Sequence, residues 1–140
     1  MPPKAPPKSA KTVPASVARA LFLLLPLGPV RARAMFGGHG LYLNAAMIGL
    51  IARDRLYLKV DETTKARFAE AGGEPFVYER HGKTVEMSYW TLPERQLSGP
   101  EALLPWAELA LAAARRARFA KTTGRATRLQ RRSRSRSRFY

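Results

Sequence analysis

The chain contains no cysteine, and this absence excludes disulfides, thiolate catalysis and zinc sites built on cysteine. Imidazole is also scarce, since His39 and His81 are the two histidines of the chain. A metal site or a general base that uses imidazole would therefore have to be built around one of these two residues. A chain without cysteine fits the reducing cytoplasm, which is the location that we expect for this protein.

Long apolar runs are missing as well. The apolar run at residues 20–27 is far shorter than the ~20 residues that span a bilayer, so we expect no contact with the membrane. Three lysines precede this run and Ala32–Ala34 follow it, an arrangement that imitates a secretory signal with its cleavage site. Pro26 and Gly28 fit the end of a helix equally well, and we interpret the imitation as a coincidence.

Acidic residues are absent from both ends of the chain, whose net charge is +15. Residues 1–13 carry three lysines and residues 115–140 carry eleven basic residues, whereas residues 14–114 carry eleven basic and ten acidic residues. A nearly neutral centre between basic ends is typical of one folded domain with solvated tails. We therefore predict a disordered basic lead at 1–13, a domain at 14–118 and a disordered Arg/Ser-rich tail at 119–140.

The apolar periodicity predicts the secondary structure of the domain. A helix that starts at Pro14, with Ser16 as its cap, carries apolar residues at helical spacing, namely Val17, Leu21, Leu24 and Leu25. Three strands follow, joined by turns at 44–45 and 53–54. In the second strand, strict alternation predicts one face with Met47, Gly49 and Ile51 and another with Ile48 and Leu50. In the third, Leu56, Leu58 and Val60 share a face.

The second half of the domain is also predicted to begin with a helix that is followed by strands. Asp61 is predicted to cap a helix that runs through Phe68 to Ala71, and a hairpin follows around a turn at His81–Gly82. A final amphipathic helix is predicted from about Pro100 to Arg118. The order is α-β(3)-α-β(2)-α, which predicts an α+β two-layer sandwich, in which an antiparallel five-stranded sheet packs against helices.

Three blocks of the centre recur in one recognisable order: MFGGHGLYLN from Met35, RLYLKVD from Arg55 and VEMSYWTLP from Val85. Together they resemble the N-terminal domain of the TfoX/Sxy competence-regulator family, over roughly residues 14–118. The motif residues that we expect to matter for structure or for an interface are Met35, Phe36, Gly37, Gly38, Gly40, Tyr42, Tyr89 and Trp90.

The resemblance implies the same α+β fold and a non-enzymatic role, because TfoX-like proteins are associated with transcription of natural-competence genes and act with other proteins. Longer family members carry a second, helical domain after this one, whereas an arginine-rich segment follows Arg118 here. We therefore expect a cytoplasmic interaction domain, and the resemblance implies that its role is transcriptional co-regulation of the competence type. The protein partner is not identified by the sequence.

Three groups of residues invite a chemical role. The glycines at 37, 38 and 40 suggest a phosphate-binding loop, but a strand follows them instead of a helix, which favours a glycine bulge in the first strand. His39 lacks a partner, because His81 lies in an unrelated turn. Glu79 and Glu86 could form a carboxylate pair, although cross-strand pairing with Arg80 and Lys83 is the simpler interpretation. We predict no catalytic residue, no cofactor and no metal.

Aromatic and methionine side chains are concentrated on the predicted strands. Alternation assigns half of this set to the core, and a sheet covered on one side would expose the other half for a partner or for a second copy in a homodimer. The set consists of Met35, Phe36, Tyr42, Tyr57, Tyr78, Met87, Tyr89 and Trp90.

The tail has the strongest charge signal in the chain. Its arginines alternate with Ser133, Ser135 and Ser137, and flexible arginine binds the phosphates of DNA or RNA without reading the base sequence. The alternative is a solvated extension. A second hypothesis for the whole protein follows, namely a non-specific nucleic-acid-binding protein whose domain mainly dimerises. The arginines are Arg125, Arg128, Arg131, Arg132, Arg134, Arg136 and Arg138.

Overall fold

A computed structural model describes residues 14–35 and 37–139, with side chains up to residue 120. The predicted lead at 1–13 and the motif residue Phe36 lie outside the described residues. In chain order the elements are α1 (Ala15–Leu23), β1 (Val30–Met35), β2 (Gly38–Leu43), β3 (Ala46–Ala52), β4 (Arg55–Lys59), α2 (Lys65–Glu70), β5 (Pro75–Arg80), β6 (Lys83–Trp90) and α3 (Pro100–Phe139). Short 3₁₀ turns occur at Leu25–Leu27 and Glu94–Leu97.

The strands form one antiparallel sheet in the order β1-β2-β3-β4-β6-β5. The α+β class with an antiparallel sheet and helices is confirmed, but the sheet has six strands, so five was wrong and the order is α-β(4)-α-β(2)-α. The missed strand, β1, has the sequence VRARAM, in which alanine and arginine give a weak apolar alternation. It pairs with β2 from Val30–Leu43 to Met35–Gly38 and forms an edge of the sheet.

The main core lies between one face of the sheet and the helices. Helix α3 contributes Leu103 and a row of small residues, Ala107, Ala110 and Ala114, all buried. Small side chains let the helix approach the sheet closely, so that Ile48 of β3 and Leu58 of β4 are almost completely buried in the same cluster. As expected, Leu56, Leu58 and Val60 face this side together.

Helix α1 differs from its prediction in two respects. Pro14 occupies the N-cap position and Ser16 does not cap the helix; its hydroxyl donates a 3.0 Å hydrogen bond to Asp54 Oδ1 instead. Val17 and Leu24 are buried as predicted, but Leu25 is exposed because the helix ends at Leu23 and the chain turns into a 3₁₀ turn. The predicted apolar stripe therefore holds as far as Leu24, the residue that follows the helix, and fails at Leu25.

The three predicted turns are confirmed by backbone angles. Asn44, Arg53, Asp54 and His81 all have positive φ, and Gly82 follows His81 with φ of 75°. Two consecutive residues with positive φ, as at 53–54 and 81–82, match the right-handed twist of a hairpin. Side chains other than glycine and asparagine are strained in this conformation, so Arg53 is held there by the strands on either side.

The final helix continues as helical backbone to Phe139, beyond the end near Arg118 that the apolar stripe predicted. The division into a lead, a domain and a tail stays a prediction. Across the described residues, no helix has the length and apolarity needed to cross a bilayer.

A charged contact fastens α3 to the connection between β4 and α2. Arg116 Nε donates to Asp61 Oδ2 at 2.6 Å, and Arg116 Nη2 donates to the Thr63 hydroxyl at 2.9 Å. The other carboxylate oxygen of Asp61 accepts a 3.0 Å hydrogen bond from the Thr63 backbone N–H. The prediction that Asp61 caps the helix was wrong, because Thr64 occupies the N-cap position of α2 and the Asp61 carboxylate instead accepts from Thr63 in the turn that precedes the helix. The Arg116 hydrogen bond, with those from Thr63, holds the pKa of the Asp61 carboxyl well below its ordinary value, although burial opposes this shift.

We predict that Asp61 makes the protein sensitive to acid. Because its pKa is lowered in the folded state, its stabilising contribution is complete above the ordinary value of 3.8 and is lost as the pH falls through and below that value. Asp61→Asn should remove this part of the pH dependence and keep an acceptor for the Thr63 N–H, whereas Asp61→Ala should lose that hydrogen bond too, at a further cost of about 1 kcal/mol. Urea unfolding between pH 3 and 7 measures both effects; equal acid sensitivity of wild type and Asp61→Asn would contradict the prediction.

Candidate interaction surface

No helix of the described residues covers the face of the sheet opposite α1 and α3, and we call it the open face. It carries its own small cluster, in which Leu50, Tyr57 and Tyr89 are buried and Met47, Ala52, Phe76 and Met87 pack around them. The rings of Tyr57 and Phe76 meet edge to face at 5.1 Å, and those of Phe76 and Tyr78 stack at 6.3 Å. The open face is therefore apolar and aromatic.

A β-bulge determines which residues of β3 reach the open face. Leu41 pairs with Gly49 and Tyr42 pairs with Met47, so Ile48 has no partner on β2. The bulge shifts the alternation: Ile48 and Ile51 belong to the helix-side core, while Met47 and Leu50 belong to the open face. The strict alternation that grouped Met47 with Ile51 was wrong, because one extra residue reverses the faces beyond it.

The glycines of β2 occupy positions where neighbouring atoms leave no room for a side chain. A Cβ on Gly38 would meet the carbonyl oxygen of Ile51 at 2.2 Å, and one on Gly40 would meet Met35 Sδ at 2.8 Å and Tyr42 Cε1 at 2.9 Å. Gly37 lies in the turn between β1 and β2 with φ of 79°. The predicted bulge in this run was wrong, because Gly38 and Gly40 pair regularly with Met35 and Arg33 on β1, and the bulge lies in β3.

A cavity of about 940 Å³ occupies the open face. The β1–β2 hairpin contributes Met35, Gly37, Gly38 and His39 to its wall, and the β5–β6 hairpin contributes Phe76, Val77, Tyr78, Arg80, Met87 and Tyr89. Strand pairing alone would separate these hairpins, so their common cavity shows that the sheet curves and brings them towards each other. All three methionines that follow Met1 line the cavity.

The charged side chains of the open face are basic. Arg33 lies 5.8 Å from the centre of the Tyr42 ring, Arg55 lies 6.0 Å from Tyr57 and Lys59 lies 5.0 Å from Tyr89. Arg53 and Arg80 line the cavity itself, and among the described residues of its wall there is no aspartate or glutamate.

Burial modifies two of the groups on this face. It lowers the pKa of the Lys59 ammonium, and it raises the pKa of Tyr89 to about 12, with a smaller contribution from Tyr42. Tyr89 therefore stays protonated at neutral pH, and its hydroxyl remains available as a hydrogen-bond donor.

The structure does not bring together the residues that were considered for catalysis. His39 lies half-buried on β2 and lines the cavity, while His81 is exposed in the β5–β6 turn. Glu79 is opposite Thr84 and Glu86 is opposite Val77, so neither the carboxylate pair nor the pairing with Arg80 and Lys83 is formed; Arg80 is opposite Lys83. Within the described part of the chain, no three His, Asp or Glu residues are placed to hold a metal ion.

The aromatic and methionine set is divided less evenly than alternation predicted. Trp90 packs against the helix-side core, whereas Tyr57, Met87 and Tyr89 belong to the open-face cluster and Met35 and Tyr78 line the cavity. Sequence reasoning missed Phe76, Met47 and Leu50 as parts of this surface. The spacing of Met47 and Met87 contained no signal for their convergence, because the bulge and the curvature of the sheet bring them together. The tail arginines, Arg125 to Arg138, lie beyond the described side chains.

Comparison with known proteins shows which sequences this chain is similar to. The family model described as the TfoX N-terminal domain matches residues 23–114, which extend from the last residue of α1 into α3. The DNA transformation protein TfoX1 of Aliivibrio fischeri (strain ATCC 700601 / ES114) is 35% identical over 78 residues. That alignment covers 56% of this chain and 37% of the relative, so the chain matches little more than a third of the relative's length.

We predict that Arg53→Asn stabilises the protein by about 0.5 kcal/mol, because asparagine tolerates the positive φ of 52° better than arginine does. Arg55→Asn removes the same charge from a neighbouring strand position and serves as the matched control, for which no gain is expected. Urea unfolding midpoints at constant m value measure the difference. A midpoint for Arg53→Asn at or below that of Arg55→Asn would contradict the prediction.

Proposed function

We propose a function for this chain, which belongs to the TfoX N-terminal domain family. In this proposal it is a non-enzymatic cytoplasmic interaction domain that takes part in the control of DNA transformation. Transcriptional co-regulation of competence genes is the form of control that we propose. The observation that carries the proposal is the family match over residues 23–114, which includes every strand of the sheet.

The open face supports the interaction part of this proposal. An apolar cavity of about 940 Å³ between two hairpins, with aromatic and methionine walls, has the composition of a surface that receives a partner. Methionine side chains are flexible and polarisable, so such a surface adapts to the shape of what it binds. The side chains around His39 favour binding over reaction, since no carboxylate of the described wall stands beside it.

We predict that deleting the gene in a naturally transformable host lowers the transformation frequency, and that a plasmid copy of the wild-type chain restores it. A copy with Met47→Glu should fail to restore it, because a carboxylate would replace an apolar side chain of the open face. Arg67→Gln, on the exposed side of α2, is the matched control and should restore it. The assay counts transformants with donor chromosomal DNA.

Unchanged transformation after the deletion would refute the proposed role. Full restoration by Met47→Glu, with a circular dichroism spectrum and a thermal midpoint like those of the wild type, would separate the role from the open face.

A second candidate function is favoured by the charge distribution. Residues 115–140 contain eleven basic residues and no acidic one, which suits binding to the phosphates of DNA or RNA. In this proposal the protein is a non-specific nucleic-acid-binding protein, and its domain mainly forms a homodimer that presents two tails.

The tail proposal predicts a strong salt dependence. If five or six phosphates are contacted, log affinity for duplex DNA should fall against log salt with a slope of roughly −4.5 to −5.5, with little dependence on base sequence. Phosphorylation of Ser133, Ser135 or Ser137 should weaken binding, since each phosphate cancels most of two positive charges. A salt titration would compare the full chain with one that ends at Phe119, on two unrelated DNA sequences and one RNA. Equal binding by both chains would refute the role of the tail.

A further inference from the structure

We propose that the cavity of the open face binds a segment of a partner protein that combines apolar side chains with several carboxylates. This inference rests on the proposed interaction role and specifies the chemistry of the partner. It is carried by two features of the same surface: an apolar wall that includes three methionines, and cationic side chains from four different elements.

The distribution of the cations favours a segment with several negative charges. Arg33 lies on β1, Arg53 in the β3–β4 turn, Arg55 and Lys59 on β4, and Arg80 at the end of β5. A small amphiphile with one anionic head group would meet one or two of these side chains. Carboxylates spaced along a peptide can meet more of them while apolar residues between the carboxylates enter the cavity.

A second copy of this chain is a poorer occupant of the open face. In a twofold dimer the same patch meets itself, so the arginines of one copy would face the arginines of the other. No aspartate or glutamate of the described cavity wall is present to compensate them. Like charges brought together in this way oppose association, and an acidic partner avoids this cost.

None of these cations belongs to an ion pair among the described residues, although the Asp61 carboxylate raises the pKa of Lys59 against the larger effect of burial. The ion pairs found among the described residues join Arg19 to Glu94 and Arg116 to Asp61, and both lie on the helix side of the molecule. On the open face, Arg33, Arg55 and Lys59 lie over tyrosine rings. A ring holds a cation in place without neutralising it, so the charge remains available to an incoming carboxylate.

The methionines provide the test. Labelling the full chain with ¹³C-methyl methionine yields signals from Met35, Met47 and Met87 in the cavity wall and from Met1 at the start of the chain. A displayed library of random short peptides is first selected on the full-length protein, and the selected peptides are then synthesised and titrated into the labelled chain. We expect them to be acidic with interspersed apolar residues, and to shift the three cavity signals.

Two variants test whether peptide binding depends on the positive charges beside the cavity. The double variant Arg53→Asn/Arg80→Gln should bind the selected peptides about tenfold more weakly, since each exposed charge contributes modestly to binding. Arg67→Gln removes a positive charge from α2, away from the cavity, and should bind like the wild type. Raising the salt concentration should reduce the difference between the double variant and the wild type.

Several outcomes would overturn the proposal. Selected peptides that are neutral or basic, shifts that spare the three methionines, or unaltered binding by the double variant would each refute it. A chain that sediments as a dimer, with the three signals moving on dilution, would assign the face to a second copy. Saturating shifts with dodecanoate, when no peptide is selected, would assign it to a small amphiphile. Each result is independent of transformation frequency, so failure here is distinguishable from failure of the proposed role.

Discussion

The close approach of α3 to the sheet is the constraint on which the rest of the structure depends. Ala107, Ala110 and Ala114 present a flat surface to β3 and β4, and Ile48 and Leu58 become buried beneath it. The contact needs small side chains, because larger ones would push the helix away from the strands. Since α1 and α3 both cover the same face, the opposite face of all six strands receives no helix from the described residues.

The open face is consequently stabilised by its own side chains. The β-bulge at Ile48 places both Met47 and Leu50 on it, and Gly40 leaves room for Met35 and Tyr42 to lie over β2. Curvature of the sheet then brings Phe76 and Met87 across from the β5–β6 hairpin. One extra residue in β3 thus determines which side chains form the open face. Without it, Ile51 would lie on the open face and Leu50 would face the helices.

The sequence predicted the parts of this architecture that depend on local patterns. Turns at 44–45, 53–54 and 81–82, the alternation of β4 and the apolar face of α3 all follow from neighbouring residues. Strand β1 was missed because Arg31 and Arg33 alternate with small alanines, which makes the apolar signal weak. The bulge and the curvature depend on contacts between distant strands. The spacing of residues in the sequence therefore could not predict the cavity, or that Met35, Met47 and Met87 line it together.

Charge is distributed between the two faces in a way that the composition conceals. Residues 14–114 are nearly neutral, with eleven basic and ten acidic residues. On the helix side, carboxylates hold the layers together: Glu94 binds Arg19 of α1, Asp61 binds Arg116 of α3 and Asp54 accepts from Ser16. The wall of the cavity, in contrast, carries Arg53 and Arg80 and no carboxylate among its described residues. A domain that is almost neutral as a whole therefore has one face that is both basic and apolar.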